Sequence, residues 1–103
     1  MALRVTLAEL MGSVDLLAMA TVPIEPFGVH AVAPPGYEEL RWLAWSPATY
    51  PFNLTGQPAL SLPVGRTAAG LPVGLQLVGP VGADDLVLAA AAAIEAALPG
   101  GAR

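Results

Sequence analysis

The sequence predicts an α/β fold with a β-hairpin, a buried strand and covering helices. Three observations lead there. Residues 59–64 and 71–78 are apolar segments flanking the small-residue and polar loop Gly65-Arg66-Thr67-Ala68-Ala69-Gly70, which is the pattern of a hairpin. A continuous apolar run over residues 15–22 is bounded by Gly12-Ser13 and Pro23, as expected of a strand covered on both faces. Residues 86–98 are rich in alanine and follow Asp84-Asp85, two carboxylates placed where a helix N-terminus favours negative charge.

Each element has its own local reason. Leu3, Leu7, Leu10 and Met11 recur at helical spacing, with Arg4, Thr6 and Glu9 elsewhere, so a short amphipathic helix opens the chain and stops at Gly12. Pro23, Pro26, Pro34 and Pro35, with Gly28 and Gly36, remove ladder donors or demand unusual dihedrals, which makes residues 23–36 a surface connection. A helix is expected from Tyr37 to Ser46, with Glu38 and Glu39 in its first turn and Pro47 at its end; Tyr37, Leu40, Leu43 and Ala44 form one stripe, Trp42 and Trp45 a second. Thr49 is the expected N-cap of another short helix, with Pro51 in its first turn and Gly56 closing it.

In the second hairpin strand Leu71, Val73, Leu75 and Leu77 share a face, while Pro72, Gly74, Gln76 and Val78 share the other. Pro63 and Pro72 cannot donate to a ladder, so both are expected at edges or bulges. In the closing helix, Leu86, Ala90, Ala93, Ile94 and Ala97 form a stripe of mostly small residues able to approach a sheet closely, and Pro99-Gly100-Gly101 ends it.

Composition excludes several classes of function. Hydrophobic residues make up 55% of the chain and charged residues 12%, too little polar surface to cover a domain of 103 residues, so some apolar surface is expected to meet a partner. The longest apolar helical run is shorter than the roughly 20 residues a bilayer requires, so no membrane span is expected. A net charge of −4 offers no basic patch for nucleic acid. Without cysteine, and with one histidine, there is no disulfide framework, no thiolate chemistry and no His-rich metal site; no cofactor is expected. The first residues lack an apolar core followed by a small-residue cleavage site, and a cytoplasmic location is the expectation.

The segments Tyr50-Pro51-Phe52-Asn53-Leu54-Thr55-Gly56-Gln57-Pro58-Ala59-Leu60-Ser61-Leu62-Pro63 and Gly70-Leu71-Pro72-Val73-Gly74-Leu75-Gln76-Leu77-Val78-Gly79-Pro80 closely resemble the C-terminal region of the amidase-signature family. That family includes bacterial amidases, fatty-acid amide hydrolases and the A subunit of the tRNA-dependent glutamine amidotransferase. Upstream, Asp15-Leu16-Leu17 with Thr21-Val22-Pro23 resembles the family's strand ending in Pro-Thr-x-Pro, except that Ala20 stands where the first proline is usual. The likeness continues through Asp84-Asp85 to the closing helix. It implies that residues 1–103 are the C-terminal portion of a mixed-sheet amidase-signature domain, incomplete by themselves.

The same resemblance implies a catalytic apparatus of a lysine, a serine in a cis peptide and a nucleophilic serine in a Gly/Ser-rich signature, all N-terminal to the matching region. This chain has no lysine, and Ser13, Ser46 and Ser61 stand isolated. The only neutral-pH base that could activate a hydroxyl is His30, which sits in the Pro/Gly-rich connection with nothing in the family to support a role. No catalytic residue is therefore assigned.

Glu38-Glu39 and Asp84-Asp85 are adjacent acids that point apart on a helix, which favours helix-start electrostatics over metal binding. Asn53 and Gln57 suit the satisfaction of backbone groups where helix turns into strand, and Gln76 suits a hydrogen bond to a neighbouring loop. Trp42, Trp45, Tyr50 and Phe52 suit packing. Tyr50, Phe52 and Asn53 remain the candidates for a pocket wall.

Two readings follow. In the first, the chain is the C-terminal segment of an amidase that hydrolyses a carboxamide through a serine acyl-enzyme, and its partner is the N-terminal catalytic portion. In the second, it is a stand-alone, non-catalytic domain that associates with a second copy or another partner as an oligomer.

Overall fold

The computed structural model describes residues 2–40 and 47–99, and within them runs helix α1 (Ala2–Met11), strand β1 (Leu17–Ala20), helix α2 (Tyr50–Thr55), strands β2 (Ala59–Arg66) and β3 (Pro72–Val78) and helix α3 (Asp84–Ala97). The expected α/β architecture is present, with a small antiparallel sheet and helices packed against it. The strand order is β1-β3-β2, so the last strand is the central one. Thr67 N–H donates to Leu71 O at 2.7 Å and closes the hairpin between β2 and β3.

Register fixes what each face holds. Leu77 lies opposite Leu60 and Ala18, and Leu75 opposite Leu62 and Ala20, so these share one face; Gln76 lies opposite Ser61 and Met19, and Val78 opposite Ala59 and Leu17, on the other. Pro63 pairs with Gly74 but Gly65 pairs with Val73, which leaves Val64 as the extra residue of a β-bulge. The expectation for Pro63 and Pro72 holds: one sits beside the bulge, the other begins β3.

Helix α3 covers the Leu75/Leu77 face. Val87 and Ala91 are buried against Leu77, with Leu16, Leu60, Leu75, Ala90 and Ile94 packed around them. The helix carries Asp84 and Asp85 in its first turn, as expected, although Ala83 is the cap residue. Its contact stripe is rotated from the expected one, because Val87, Ala90, Ala91 and Ile94 face the sheet while Leu86, Ala93 and Ala97 are exposed. The cause is Gly79. A Cβ there would lie 2.6 Å from Val87 Cγ2, so the missing side chain is the recess that receives Val87 and sets the helix's rotation.

β1 departs from the strand expected to be buried on both faces. Residues Leu17 and Met19 are half-buried and Ala18 and Ala20 exposed, and the strand occupies the edge of the sheet. The main contacts of α3 are with β2 and β3, so the apolar residues of β1 are covered less than those of the central strand.

α1 forms as expected, with Gly12 N–H closing on the carbonyls of Ala8 and Glu9, but buries none of its residues. It rests on α2, where Arg4 Nε donates to Leu54 O at 3.2 Å. α2 has Pro51 in its first turn and ends at Gly56 in the left-handed conformation, whose N–H returns to Phe52 O; Thr49 makes no side-chain cap bond. Residues 23–36 run over the surface as expected, anchored at the buried Ala33. The helix expected from Tyr37 starts as a tight turn, with Leu40 N–H donating to Tyr37 O; its continuation through Trp42 and Trp45 to Ser46 lies outside the described residues.

Substituting Gly79→Ala forces the new methyl against a side chain that is 2% exposed. The expected loss is about 1–3 kcal/mol of unfolding free energy, measured by urea denaturation. Gly82→Ala, at an open surface turn, serves as the comparison for a purely conformational effect.

Candidate functional site

The face of the sheet opposite α3 holds the polar side chains. Gln76 is buried at 4% exposure on a strand of apolar neighbours, and its Nε2 donates to Ala48 O at 2.8 Å, tying the central strand to the segment that leads into α2. Gln57 does the corresponding work at the other end of α2. Its Nε2 donates to Gly79 O at 3.0 Å, while Gly79 N–H donates to Pro58 O, so the α2–β2 junction is pinned to the end of β3. Both glutamines thus satisfy backbone groups, the role expected of them. Gln57 Oε1 is buried without a hydrogen-bond partner among the described residues.

These residues frame a cleft of about 270 Å³, lined by Thr49, Phe52, Asn53, Gln57, Ala59, Leu60, Ser61 and Gln76. Two of the three residues singled out from sequence, Phe52 and Asn53, therefore lie on one wall. Phe52 is buried and packs as a core side chain, whereas Asn53 is exposed. Tyr50, 37% exposed, is not among the residues lining the cleft. A larger cavity of about 490 Å³ opens between α1, the end of α2 and Pro80-Val81, with Arg4, Thr55 and Gln57 as its polar members.

A second polar arrangement was not anticipated from sequence. Thr21 Oγ1 and Ser61 Oγ are hydrogen-bonded at 2.6 Å, one from the end of β1 and the other from β2, and so bridge the central strand. Gly74 lies between them. A Cβ on Gly74 would stand 2.6 Å from Ser61 Oγ and 2.9 Å from Thr21 Oγ1, so the hydroxyl pair closes only over glycine. Thr21 N–H also donates to Gly74 O at 3.1 Å, extending the β1–β3 ladder by one residue. The period-two pattern places Ser61 and Gly74 on one face, but only the pairing of β1 with β3 brings Thr21 beside them, and no local signal encodes that register.

The remaining chemistry-bearing residues stand apart. Ser13 Oγ donates to Leu10 O and acts as a helix stop, and His30 is exposed in the turn closed by Ala31 N–H to Gly28 O. Ser46 lies outside the described residues. No group of three or more His, Cys, Asp or Glu side chains able to hold a metal is found among the described residues. No helix among them is long and apolar enough to cross a membrane.

A small antiparallel sheet with one helix-covered face and a polar cleft on the other is an α/β arrangement, and its structural neighbours are amidases. The chain belongs to the amidase-signature family: the Amidase family model matches residues 1–88.

Among curated relatives, the 6-aminohexanoate-cyclic-dimer hydrolase of Pseudomonas sp. (strain NK87) is 52% identical over 60 residues, covering 58% of this chain and 12% of that protein. The A subunit of glutamyl-tRNA(Gln) amidotransferase from Cyanothece sp. (strain PCC 7425 / ATCC 29141) is 42% identical over 86 residues, covering 84% of this chain and 17% of that protein. A solved structure of 6-aminohexanoate cyclic dimer hydrolase complexed with substrate superposes with a TM-score of 0.73 at 33% identity, over 98% of this chain and 24% of that one. The chain thus spans between about an eighth and a quarter of the length of these proteins.

The hydroxyl bridge yields a double-mutant test. Gly74→Ala is expected to cost about 1–3 kcal/mol by prising Thr21 and Ser61 apart. In a Ser61→Ala background the nearest clash is gone, so the same substitution should cost less. Urea titrations of the two singles and the double give the coupling, and additive effects would show that the hydroxyls do not constrain residue 74.

Proposed function

We propose that this chain is the C-terminal segment of an amidase that hydrolyses the carbon–nitrogen bond of a carboxamide through a serine acyl-enzyme, with the catalytic lysine and serines supplied by polypeptide outside these 103 residues. The observation that carries the reading is the superposition of 98% of the chain on about a quarter of a 6-aminohexanoate cyclic dimer hydrolase, at 33% identity. The reaction itself is ordinary acyl transfer. A serine hydroxyl adds to the amide carbonyl carbon, the carbon–nitrogen bond breaks as the amine leaves with a proton, and water then cleaves the ester to release the acid and regenerate the hydroxyl.

Within such an enzyme the contribution of this segment is scaffolding and one pocket wall. β3 extends the sheet, α3 covers it, and the cleft beside Phe52, Asn53 and Gln76 offers an aromatic ring and an exposed amide to an acyl or amine group. The proposed partner is the catalytic remainder of the amidase fold. Surface area supports it: the chain exposes 6696 Å², whereas a folded monomer of its mass is expected to expose about 5,400 Å². The radius of gyration, 15.2 Å against about 13 Å for a compact domain of this length, and extents of 39 × 39 × 17 Å describe the same flattened slab.

The test is hydrolysis of simple primary amides and p-nitroanilides by the purified 103-residue chain. It should show no turnover above buffer. Turnover that survives Ser13→Ala, Ser46→Ala and Ser61→Ala singly but disappears in His30→Ala would overturn the reading by placing a catalytic centre within the chain.

A further inference from the structure

The cleft of about 270 Å³ on the sheet face opposite α3 has a definite chemistry. None of the residues lining it carries a charge, and its polar members are the amides and hydroxyls of Thr49, Asn53, Gln57, Ser61 and Gln76. An ion entering it would leave water without meeting a counter-charge, which is costly. The cleft therefore suits a neutral molecule that brings both a donor and an acceptor.

Gln76 is the polar group held most firmly there. It stands on the central strand at 4% exposure, so its side chain has no room to turn out into solvent. Its amide is also oriented: Nε2 donates to Ala48 O at 2.8 Å, and the flipped arrangement would set two oxygens against each other. Oε1 is thus the end left over, and among the described residues no group donates to it. Gln57 differs, because its own Oε1 is sealed from solvent, whereas Gln76 reaches the cleft with an acceptor still open.

We propose that Gln76 is a substrate-contacting specificity residue whose Oε1 accepts the N–H of a neutral secondary amide bound in this cleft. Phe52 and Ala59 give the adjoining carbon chain its apolar contact. The Thr21–Ser61 pair uses only one of its two hydroxyl hydrogens internally, and with Thr21 as the donor the Ser61 hydrogen is free for the amide carbonyl. An ester of the same shape places an oxygen where the N–H was, and its lone pairs face Oε1. The site thus separates amide from ester by a hydrogen bond, not by size. The inference rests on the amidase-segment reading for the bound amide's role as substrate; the contact itself belongs to this chain.

The experiment titrates the isotope-labelled 103-residue chain with N-butylacetamide and with butyl acetate, two probes that differ by N–H against O, and follows both by NMR. The amide is expected to shift the Gln76 side-chain signals and the backbone amides of Asn53 and Ser61. It binds roughly three- to tenfold more tightly than the ester, the factor one net hydrogen bond supplies. In Gln76→Met, of similar size, the two probes bind alike within about twofold, while Asn53→Ala keeps the preference.

Equal binding of amide and ester by the unsubstituted chain, no binding of either up to its solubility, shifts gathered instead at Arg4 and Gly12 of the larger cavity, or a preference that survives Gln76→Met overturns the proposal. The comparison on the unsubstituted chain decides the matter if Gln76→Met fails to fold. The substrate role is read in the 6-aminohexanoate cyclic dimer hydrolase whose superposed segment is exchanged for residues 1–103. There Gln76→Met raises KM for the cyclic dimer roughly three- to tenfold with kcat within about twofold, as loss of a contact made equally in ground and transition states does. An unchanged KM overturns the substrate role. A chimera without turnover counts against the amidase-segment reading and not against the amide contact measured on the chain itself.

Discussion

The packing of Val87 into the space above Gly79 is the contact on which the rest of this structure depends. Gly79 ends the central strand, holds Pro58 through its N–H and receives Gln57 Nε2 on its carbonyl, so one residue without a side chain joins β3 to the α2–β2 junction. The same absence lets α3 approach until Val87 and Ala91 bury Leu77. Burying side chains of this size contributes about 1.5–3 kcal/mol each, and here the burial is concentrated at one end of one strand. Exposure along β3 falls steadily from Pro72 to Val78, so the sheet is well held where the helix begins and open towards the hairpin tip.

That gradient explains which parts of the fold were legible. The hairpin could be read because its information is local: alternating residues, a small-residue loop and two prolines with no N–H to donate, one of which indeed lies beside the bulge. Helix α3 could be located from its acids and alanines, but not oriented. With leucine, valine and alanine on most sides, several stripes are equally apolar, and the choice among them is made by a glycine in a different element. The position of β1 can be read from its apolar residues but its place at the sheet edge cannot, because apolarity on every residue does not encode how many strands pair with it.

The site shows the same division. Gln76 and Gln57 were recognisable as polar residues in apolar or junctional settings that had to find backbone partners, and they do. Phe52 and Asn53 reach a common cleft because they are adjacent on one short helix, which is also local information. The Thr21–Ser61 pair was not legible. It spans 40 residues of sequence and needs the β1–β3 register, and hydroxyl residues near strand ends carry no mark of such a meeting.

Exposed apolar area is therefore concentrated on particular surfaces. A core of one helix against two strands satisfies the hydrogen bonds of the central strand on both sides, while Ala18 and Ala20 of the edge strand stay exposed among the described residues. Extra apolar surface alone would be compatible with loose packing. Here exposed apolar residues flank β1, an edge strand with no proline or bulge among its residues, while the opposite edge is interrupted by Pro63 and Val64. The two edges of the sheet therefore differ in kind, and the difference is set by which of the two edge strands carries the proline.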